Sequence, residues 1–160
     1  MKNSTFLKRG DSLKHEKQAW VVLVVSSVLM VIVTFFFMTV VGHTNEVEMA
    51  LEASPYFSKE EVADAASTVL KTFKKDWKGA NLTQLCFEET FYEEALSRRY
   101  NTESNDKEFV QKNIIIFEST FKTGPFDQTS LGKGNTVEHW QFILSREDVN
   151  SPWEVVDQGM

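Results

Sequence analysis

Residues 19–41 (AWVVLVVSSVLMVIVTFFFMTVV) form a run of 23 residues without a charged side chain. A helix rises about 1.5 Å per residue and the hydrocarbon core of a bilayer is roughly 30 Å thick, so the run is long enough to cross a membrane. Helices in soluble proteins seldom continue this far without a charge, because one side of them usually faces water. The run therefore predicts a transmembrane helix, preceded by a short tail, residues 1–18.

The two flanks of this run differ in charge. The tail carries five basic and two acidic side chains, whereas residues 42–55 contain three glutamates and no lysine or arginine. Because basic flanks stay in the cytoplasm, we expect a cytoplasmic N-terminus and an extracytoplasmic C-terminal part at the cell membrane. The alternative is a signal peptide cleaved at Val40-Val41-Gly42, although the apolar core of such peptides usually spans only about 7–15 residues. We favour an uncleaved signal anchor.

The part of the chain beyond the span is acidic. Residues 21–160 hold 12 basic and 21 acidic side chains, which gives a net charge of −9. Nucleic acid and anionic lipid both attract clustered lysine and arginine, so the charge balance predicts neither as a partner of this domain. Cys86, the single cysteine, lies in an apolar stretch and is predicted to be an inert core residue.

Residues 42–55 are interpreted as a stalk that Pro55 ends, with a helical continuation over 47–53 as one option. The domain itself, residues 56–160, opens with Ser58 and Glu61 at the spacing of a capping box. Apolar side chains then recur at steps of three and four and predict one long helix, which Gly79 ends. These side chains are Val62, Ala66, Val69, Leu70, Phe73 and Trp77.

The second half of the domain is typical of β-structure. Strand-like segments occupy residues 81–88, 113–123, 137–145 and 153–157, and turn residues separate the last three. Residues 91–100 favour a short helix or an irregular excursion, and residues 101–107 a polar loop. A helix followed by antiparallel strands predicts an α+β domain, in which a curved sheet packs against the long helix.

The chain offers few groups for chemistry. His15, His43 and His139 fall in the tail, the stalk and the domain, so they cannot form one site, and no metal, nucleotide or nucleophile motif is present. We therefore expect no metal and no cofactor. An enzyme would need a carboxyl group such as Glu118 or Asp157 in a pocket that raises its pKa.

Aromatic side chains are the more suggestive feature. The long helix and the predicted strands bring several of them to positions where they line the hollow of a curved sheet. They form either plain core packing or, in part, a ligand pocket. The candidate pocket residues are Trp77, Phe117, Trp140, Phe142 and Trp153.

The end of the chain carries a resemblance to a known family. Residues 140–146 (WQFILSR) and 152–159 (PWEVVDQG) resemble the closing strand pair of a family of small bacterial domains of unknown function, which stand behind a membrane or lipoprotein anchor in Gram-positive bacteria. Residues 57–62 (FSKEEV), 73–79 (FKKDWKG) and 82–88 resemble its first half, so the likeness covers about residues 56–160.

That family looks like the nuclear transport factor 2-like cone, in which helices cover a strongly bent antiparallel sheet. The resemblance implies this fold and names no catalytic residue. Enzymes with the cone usually place an Asp-His or Asp-Tyr pair deep in the pocket, whereas His139 has no evident partner here and is expected to point outward.

These observations favour a non-enzymatic, single-pass membrane protein of the cell envelope. Its outer domain is expected to bind a small molecule, a peptide or a partner protein. The alternative is an envelope sensor or assembly subunit that forms a homodimer through its sheet face. A small hydrolase or isomerase-like enzyme is the third reading of the same residues.

Overall fold

The computed structural model describes residues 4–100, 107–125 and 130–160 of the chain. Most of the predicted polar loop, residues 101–106, lies outside the described residues. The chain divides into two compact units, and the second spans Thr39–Met160. The first unit ends at Met38 and holds most of α1 (Ser4–Val40), in which Lys17–Phe36 is long and apolar enough to cross a membrane. The predicted N-terminal apolar helix is therefore confirmed.

The second unit is an α+β fold, as predicted. Its helices are α2 (Lys59–Asp76), α3 (Glu89–Arg99) and α4 (Lys107–Asn113). The strands are β1 (Glu48–Leu51), β2 (Asn81–Phe87), β3 (Ile114–Lys122), β4 (Thr136–Ser145) and β5 (Glu154–Gly159). They form one sheet in the order β1-β2-β3-β4-β5, antiparallel except for the parallel pair β1 and β2.

Helix α2 begins as its sequence predicts and ends at Asp76, three residues before the predicted stop at Gly79. The Ser58 hydroxyl accepts the Glu61 N–H, and the Glu61 carboxylate accepts the Ser58 N–H at 2.8 Å, which completes the capping box. Beyond the helix end, Gly79 adopts a φ of +68°, a backbone conformation that glycine reaches without a Cβ clash. Between these two points, the apolar face of α2 is buried in the core.

The two sides of the sheet carry different helices. Trp140 and Phe142 of β4 face α2, where their rings contact Trp77 and Phe73 respectively. Gln141 lies between them and therefore points to the other side, because side chains alternate along a strand. There its side-chain oxygen accepts hydrogen bonds from the guanidinium group of Arg99, at the end of α3. Thus α2 covers one face of the sheet and α3 reaches across the other.

The segment interpreted as a stalk joins the folded unit instead. Its predicted helical continuation over 47–53 is wrong, since β1 pairs in parallel with β2 over Glu48–Leu51. Upstream of β1, His43 forms a parallel bridge with Asn81, and the Gly42 N–H donates to the Lys74 carbonyl at 3.0 Å. A four-residue strand that pairs with a partner more than 30 residues away leaves no local pattern to read.

Gly42 is the tightest point of this connection. A Cβ atom added there would lie 2.4 Å from the Phe73 carbonyl oxygen and 2.8 Å from that of Trp77, both rigid backbone atoms of α2 and its cap. We expect Gly42→Ala to lower the free energy of unfolding of the second unit by about 1–3 kcal/mol, as overpacking does. Urea denaturation followed by tryptophan fluorescence measures this.

Gly159→Ala is the matched control for that substitution. A Cβ atom at Gly159 meets no heavy atom within 4 Å, so the free energy of unfolding should change by no more than about 0.5 kcal/mol. Equal stabilities of the two variants would show that residue 42 is not held against α2.

Candidate functional site

The five predicted pocket residues do not gather in one hollow. Phe117 and Phe142, opposite each other on β3 and β4, are completely buried. The Phe117 ring packs on Phe87 at 5.8 Å between centroids, and the Phe142 ring on Phe73 at 6.5 Å. Core packing accounts for both side chains.

Trp77 and Trp140 form a half-buried pair at the C-terminal end of α2. Their ring centroids lie 5.3 Å apart with planes nearly perpendicular, and Phe121 contacts both rings. The Trp77 indole N–H donates to the Gln158 side-chain oxygen at 3.1 Å. The Trp140 indole nitrogen is buried and has no hydrogen-bond partner among the described residues, and it lies among aromatic rings whose faces can receive an N–H.

Trp153 belongs to the other end of the unit. It is 4% exposed, and its ring meets Phe57 edge-on at 5.8 Å. The guanidinium carbon of Arg146 lies 4.3 Å from the Trp153 ring centroid, which is within cation–π distance. Phe117, Phe142 and Trp153 are thus core residues, whereas Trp77 and Trp140 are only half-buried. The alternation of aromatic residues could not tell which end of the sheet each ring would occupy.

Two adjoining grooves open beside Trp153, at the end of β4. Their volumes are about 500 and 390 Å³, and they share Arg146, Ser151 and Pro152, so we call them together the Arg146 groove. One is also lined by Phe109, Ile114, Ser145, Glu147 and Glu154, and the other by Glu60, Glu61, Asp64, Val149, Asn150 and Trp153. Sequence reasoning missed this groove, because its residues come from three separate stretches of the chain, 60–64, 109–114 and 145–154.

Arg146 holds the walls of the groove together. Its side chain is only 4% exposed and pairs with the Glu61 carboxylate at 2.7 Å. It donates to the Lys112 carbonyl at 2.8 Å, at the end of α4, and to the Val149 carbonyl at 3.4 Å, in the turn before β5. Each of its three guanidinium nitrogens therefore has a partner inside the protein, and Arg146 positions the groove instead of reaching into it for a ligand.

The pKa of Glu61 is lowered by this arrangement. Burial acts to raise the pKa of Glu61, but hydrogen bonds from the Ser58 backbone and from Arg146 outweigh it and hold the pKa below its ordinary value. A charged pair therefore joins the start of α2 to the end of β4.

The open surface of the groove combines apolar and acidic groups. Phe109 of α4 is 53% exposed, although it is a large aromatic side chain. Exposed carboxylates surround the groove at Glu60, Asp64, Glu147 and Glu154. Such a surface suits a ligand or a protein segment that carries an apolar group beside a positive charge.

The carboxyl groups considered for catalysis lie elsewhere. Glu118 contacts the imidazole of His139, and Asp157 pairs with Arg99 at 3.0 Å. The side chain of His139 points outward as expected, with 80% of it exposed, but its partner Glu118 was not foreseen. The hydrogen bond to Glu118 raises the pKa of His139. Among the described residues, no three His, Cys, Asp or Glu side chains come together as a metal site.

His139 also has an unusual backbone. Its φ of +58° lies in the left-handed region, where a residue with a Cβ is uncommon. The register of β3 and β4 shifts between Ser119 and Phe121, so His139 sits in a β-bulge opposite Thr120. The bulge explains how His139 comes to reach the diagonal neighbour Glu118.

We expect Arg146→Met to lower the free energy of unfolding by about 2–4 kcal/mol, because it leaves the Glu61 carboxylate without its charged partner and removes the donor to the Lys112 and Val149 carbonyls. Chemical denaturation as a function of pH tests this. Since the folded-state pKa of Glu61 lies below 4.5, its stabilisation is present above that pH and is lost as the pH falls through the lowered pKa. In the Arg146→Met variant, the free energy of unfolding should fall less as the pH is lowered through this range.

Arg98→Met serves as the control. Arg98 also forms an ion pair with a glutamate, Glu94, but both side chains are about two-thirds exposed. Exposed pairs contribute little, so the change should stay below about 0.5 kcal/mol. A similar loss of unfolding free energy in both variants would contradict the structural role that we assign to Arg146.

Comparison with known proteins gives a family without an assigned activity. No curated protein and no solved structure matches the chain significantly. The family model for a domain of unknown function, DUF4829, matches residues 55–159, which is most of the second unit. The chain therefore belongs to the DUF4829 family.

Proposed function

We propose that this protein is a single-pass membrane protein with a retained signal anchor, a cytoplasmic N-terminus and an extracytoplasmic second unit. The second unit acts as a non-enzymatic binding module, and its partner contacts the Arg146 groove. The filled aromatic core beside an open groove is the observation that carries the binding role.

Retention of the anchor is supported by the residues that its cleavage would remove. Cleavage after Gly42 would separate Val41 and Gly42 from the second unit. The Val41 carbonyl accepts the Gly79 N–H at 3.2 Å, and the Gly42 N–H donates to the Lys74 carbonyl. A cleaved product would lose both backbone hydrogen bonds at the end of α2, so the fold itself favours an intact chain.

Binding at the groove is supported by its position and composition. The hollow between α2 and the sheet is filled by side chains such as Phe117 and Phe142, which leaves no room for a ligand around them. The groove, by contrast, is open and exposes Phe109. We therefore assign recognition to the groove, for a protein segment with apolar and basic side chains, in preference to a small molecule inside the sheet.

The other readings rest on weaker observations. The nuclear transport factor 2-like cone remains our proposal for the fold, supported by the order of a long helix followed by antiparallel strands. An enzyme would use Glu118 or Asp157, yet each is ion-paired on the face opposite α2. A homodimer through the sheet face opposite α2 would have to accommodate the side chain of Arg99 of α3, which is hydrogen-bonded to Gln141 on that face.

We expect the protein to be recovered intact from membranes. A chain with different epitope tags at its two ends should give one band of full mass in the membrane fraction, and both tags should resist carbonate extraction. A shorter C-terminal product that leaves the membrane would contradict the retained anchor.

We expect a photo-crosslinking residue at Ser151 to capture a partner in cells. Charge reversal at Glu147 and Glu154 should reduce the adduct by at least about tenfold, if each carboxylate contributes about 1 kcal/mol. The matched control position is Thr83, which is exposed on β2. Equal adducts from both positions would contradict recognition at the groove. An adduct of twice the chain mass of 18.4 kDa would indicate a homodimer.

A further inference from the structure

We propose that a cluster of lysines on the second unit binds the anionic phospholipid surface of the leaflet from which the chain emerges. We call this cluster the lysine end and define it by Lys71, Lys74, Lys75, Lys78 and Lys122. The inference rests on the proposed membrane anchor and adds to it a second, electrostatic contact with the bilayer.

Four of these lysines share one side of α2 and its C-terminal extension. Lys74 and Lys75 follow Lys71 by three and four residues, and Lys78 follows them at the same steps. This spacing places the four lysines on the face opposite the buried Val69 and Phe73. All four side chains are exposed. None of the ion pairs formed within residues 4–100, 107–125 and 130–160 includes them, so their charges remain available.

Backbone hydrogen bonds place this cluster beside the end of the apolar run. The Gly42 N–H donates to the carbonyl of Lys74, and the Gly79 N–H, next to Lys78, donates to the carbonyl of Val41. Val41 is itself the last residue of the apolar run. This proximity follows from the covalent chain and holds for any orientation of α1.

Lys122 lies at the same edge of the second unit. It is the Cα partner of Asn81 in the sheet, and Asn81 in turn bridges to His43. Adjacent strands are about 4.8 Å apart, so the Lys122 backbone lies roughly 10 Å from that of His43. The five lysines therefore surround the point at which the chain enters the folded unit.

Three of the four acidic side chains of α2 lie at its other end. Glu60, Glu61 and Asp64 occupy the first two turns of α2, and an 18-residue helix is about 27 Å long. The Debye length in physiological salt is only about 8 Å, so these carboxylates do not cancel the lysines. The fourth, Asp76, lies in sequence between Lys75 and Lys78 and reduces the charge of the five lysines from +5 to +4. The net charge of −9, which predicted no binding to anionic lipid, hides this separation.

Contact at the lysine end would also orient the binding module. The Arg146 groove is lined by Glu60, Glu61 and Asp64, at the opposite end of α2. With the lysines on the headgroups, the groove would point away from the bilayer, towards a partner in the envelope.

The test uses the full chain reconstituted in two kinds of vesicle, phosphatidylcholine alone and phosphatidylcholine mixed with phosphatidylglycerol. A neutral amine-acylating reagent is added, and the rate at each lysine is read by mass spectrometry. In anionic vesicles, acylation of Lys71, Lys75 and Lys78 should slow by at least about fivefold. This factor corresponds to about 1 kcal/mol, the binding free energy that one lysine contributes near an anionic surface. Lys59, at the other end of α2, is the internal control and should not slow.

Matched triple variants separate the cluster from the overall charge. Lys71→Gln, Lys75→Gln and Lys78→Gln together should restore fast acylation of Lys122. Lys59→Gln, Arg98→Gln and Lys112→Gln remove the same charge elsewhere and should leave Lys122 protected. Protection in the unchanged protein should disappear in about 1 M salt, where the Debye length is about 3 Å.

Two results would overturn the inference. The first is an equal rate of Lys78 acylation in both kinds of vesicle, measured on an intact chain. That result would contradict the lipid contact and leave the proposed anchor standing. The second is equal protection in phosphatidylcholine vesicles after addition of soluble polyphosphate, which would assign the surface to a soluble polyanion. Failure of the anchor is recognised separately, as a cleaved chain recovered from cells.

Discussion

The close approach of Gly42 to the last turn of α2 is the constraint on which the rest of the second unit depends. The Gly42 N–H bonds to the Lys74 carbonyl, and no side chain larger than hydrogen fits between residue 42 and the Phe73 carbonyl. This contact sets the path of the chain towards β1, which then pairs with β2. It also makes the end of the apolar run part of the fold, so the apolar run and the folded unit share residues.

A second fixed point lies at the opposite end of α2. Arg146 joins the start of α2, the end of α4 and the turn before β5 through Glu61 and two backbone carbonyls. A buried arginine is costly unless every donor is used, and here each partner comes from a different element. The segments that line the groove are therefore joined through Arg146, whereas its acidic rim and Phe109 remain exposed. The two ends of α2 thus differ in charge and in their proposed partners.

Much of the fold was accessible from the sequence because its signals are local. The capping residues Ser58 and Glu61, the apolar face of α2 and the strand alternation around Trp140 each depend on neighbours within a few residues. The candidate site was not accessible in the same way. Trp153 was grouped with Trp77, but the two pack at opposite ends of the sheet, with Phe57 and with Trp140 respectively.

The sequence by itself determined an apolar helix, its charged flanks, an α+β second unit and the identity of most core side chains. Periodicity and charge carry these properties, and neither requires knowledge of distant contacts. Only the tertiary structure decided that residues 42–51 join the sheet, that Arg146 is buried among Glu61 and Trp153, and that Lys122 meets the four lysines of α2 and its extension at one edge. Each of these depends on long-range pairing between segments that have no common local pattern, so it appears only when the chain is folded.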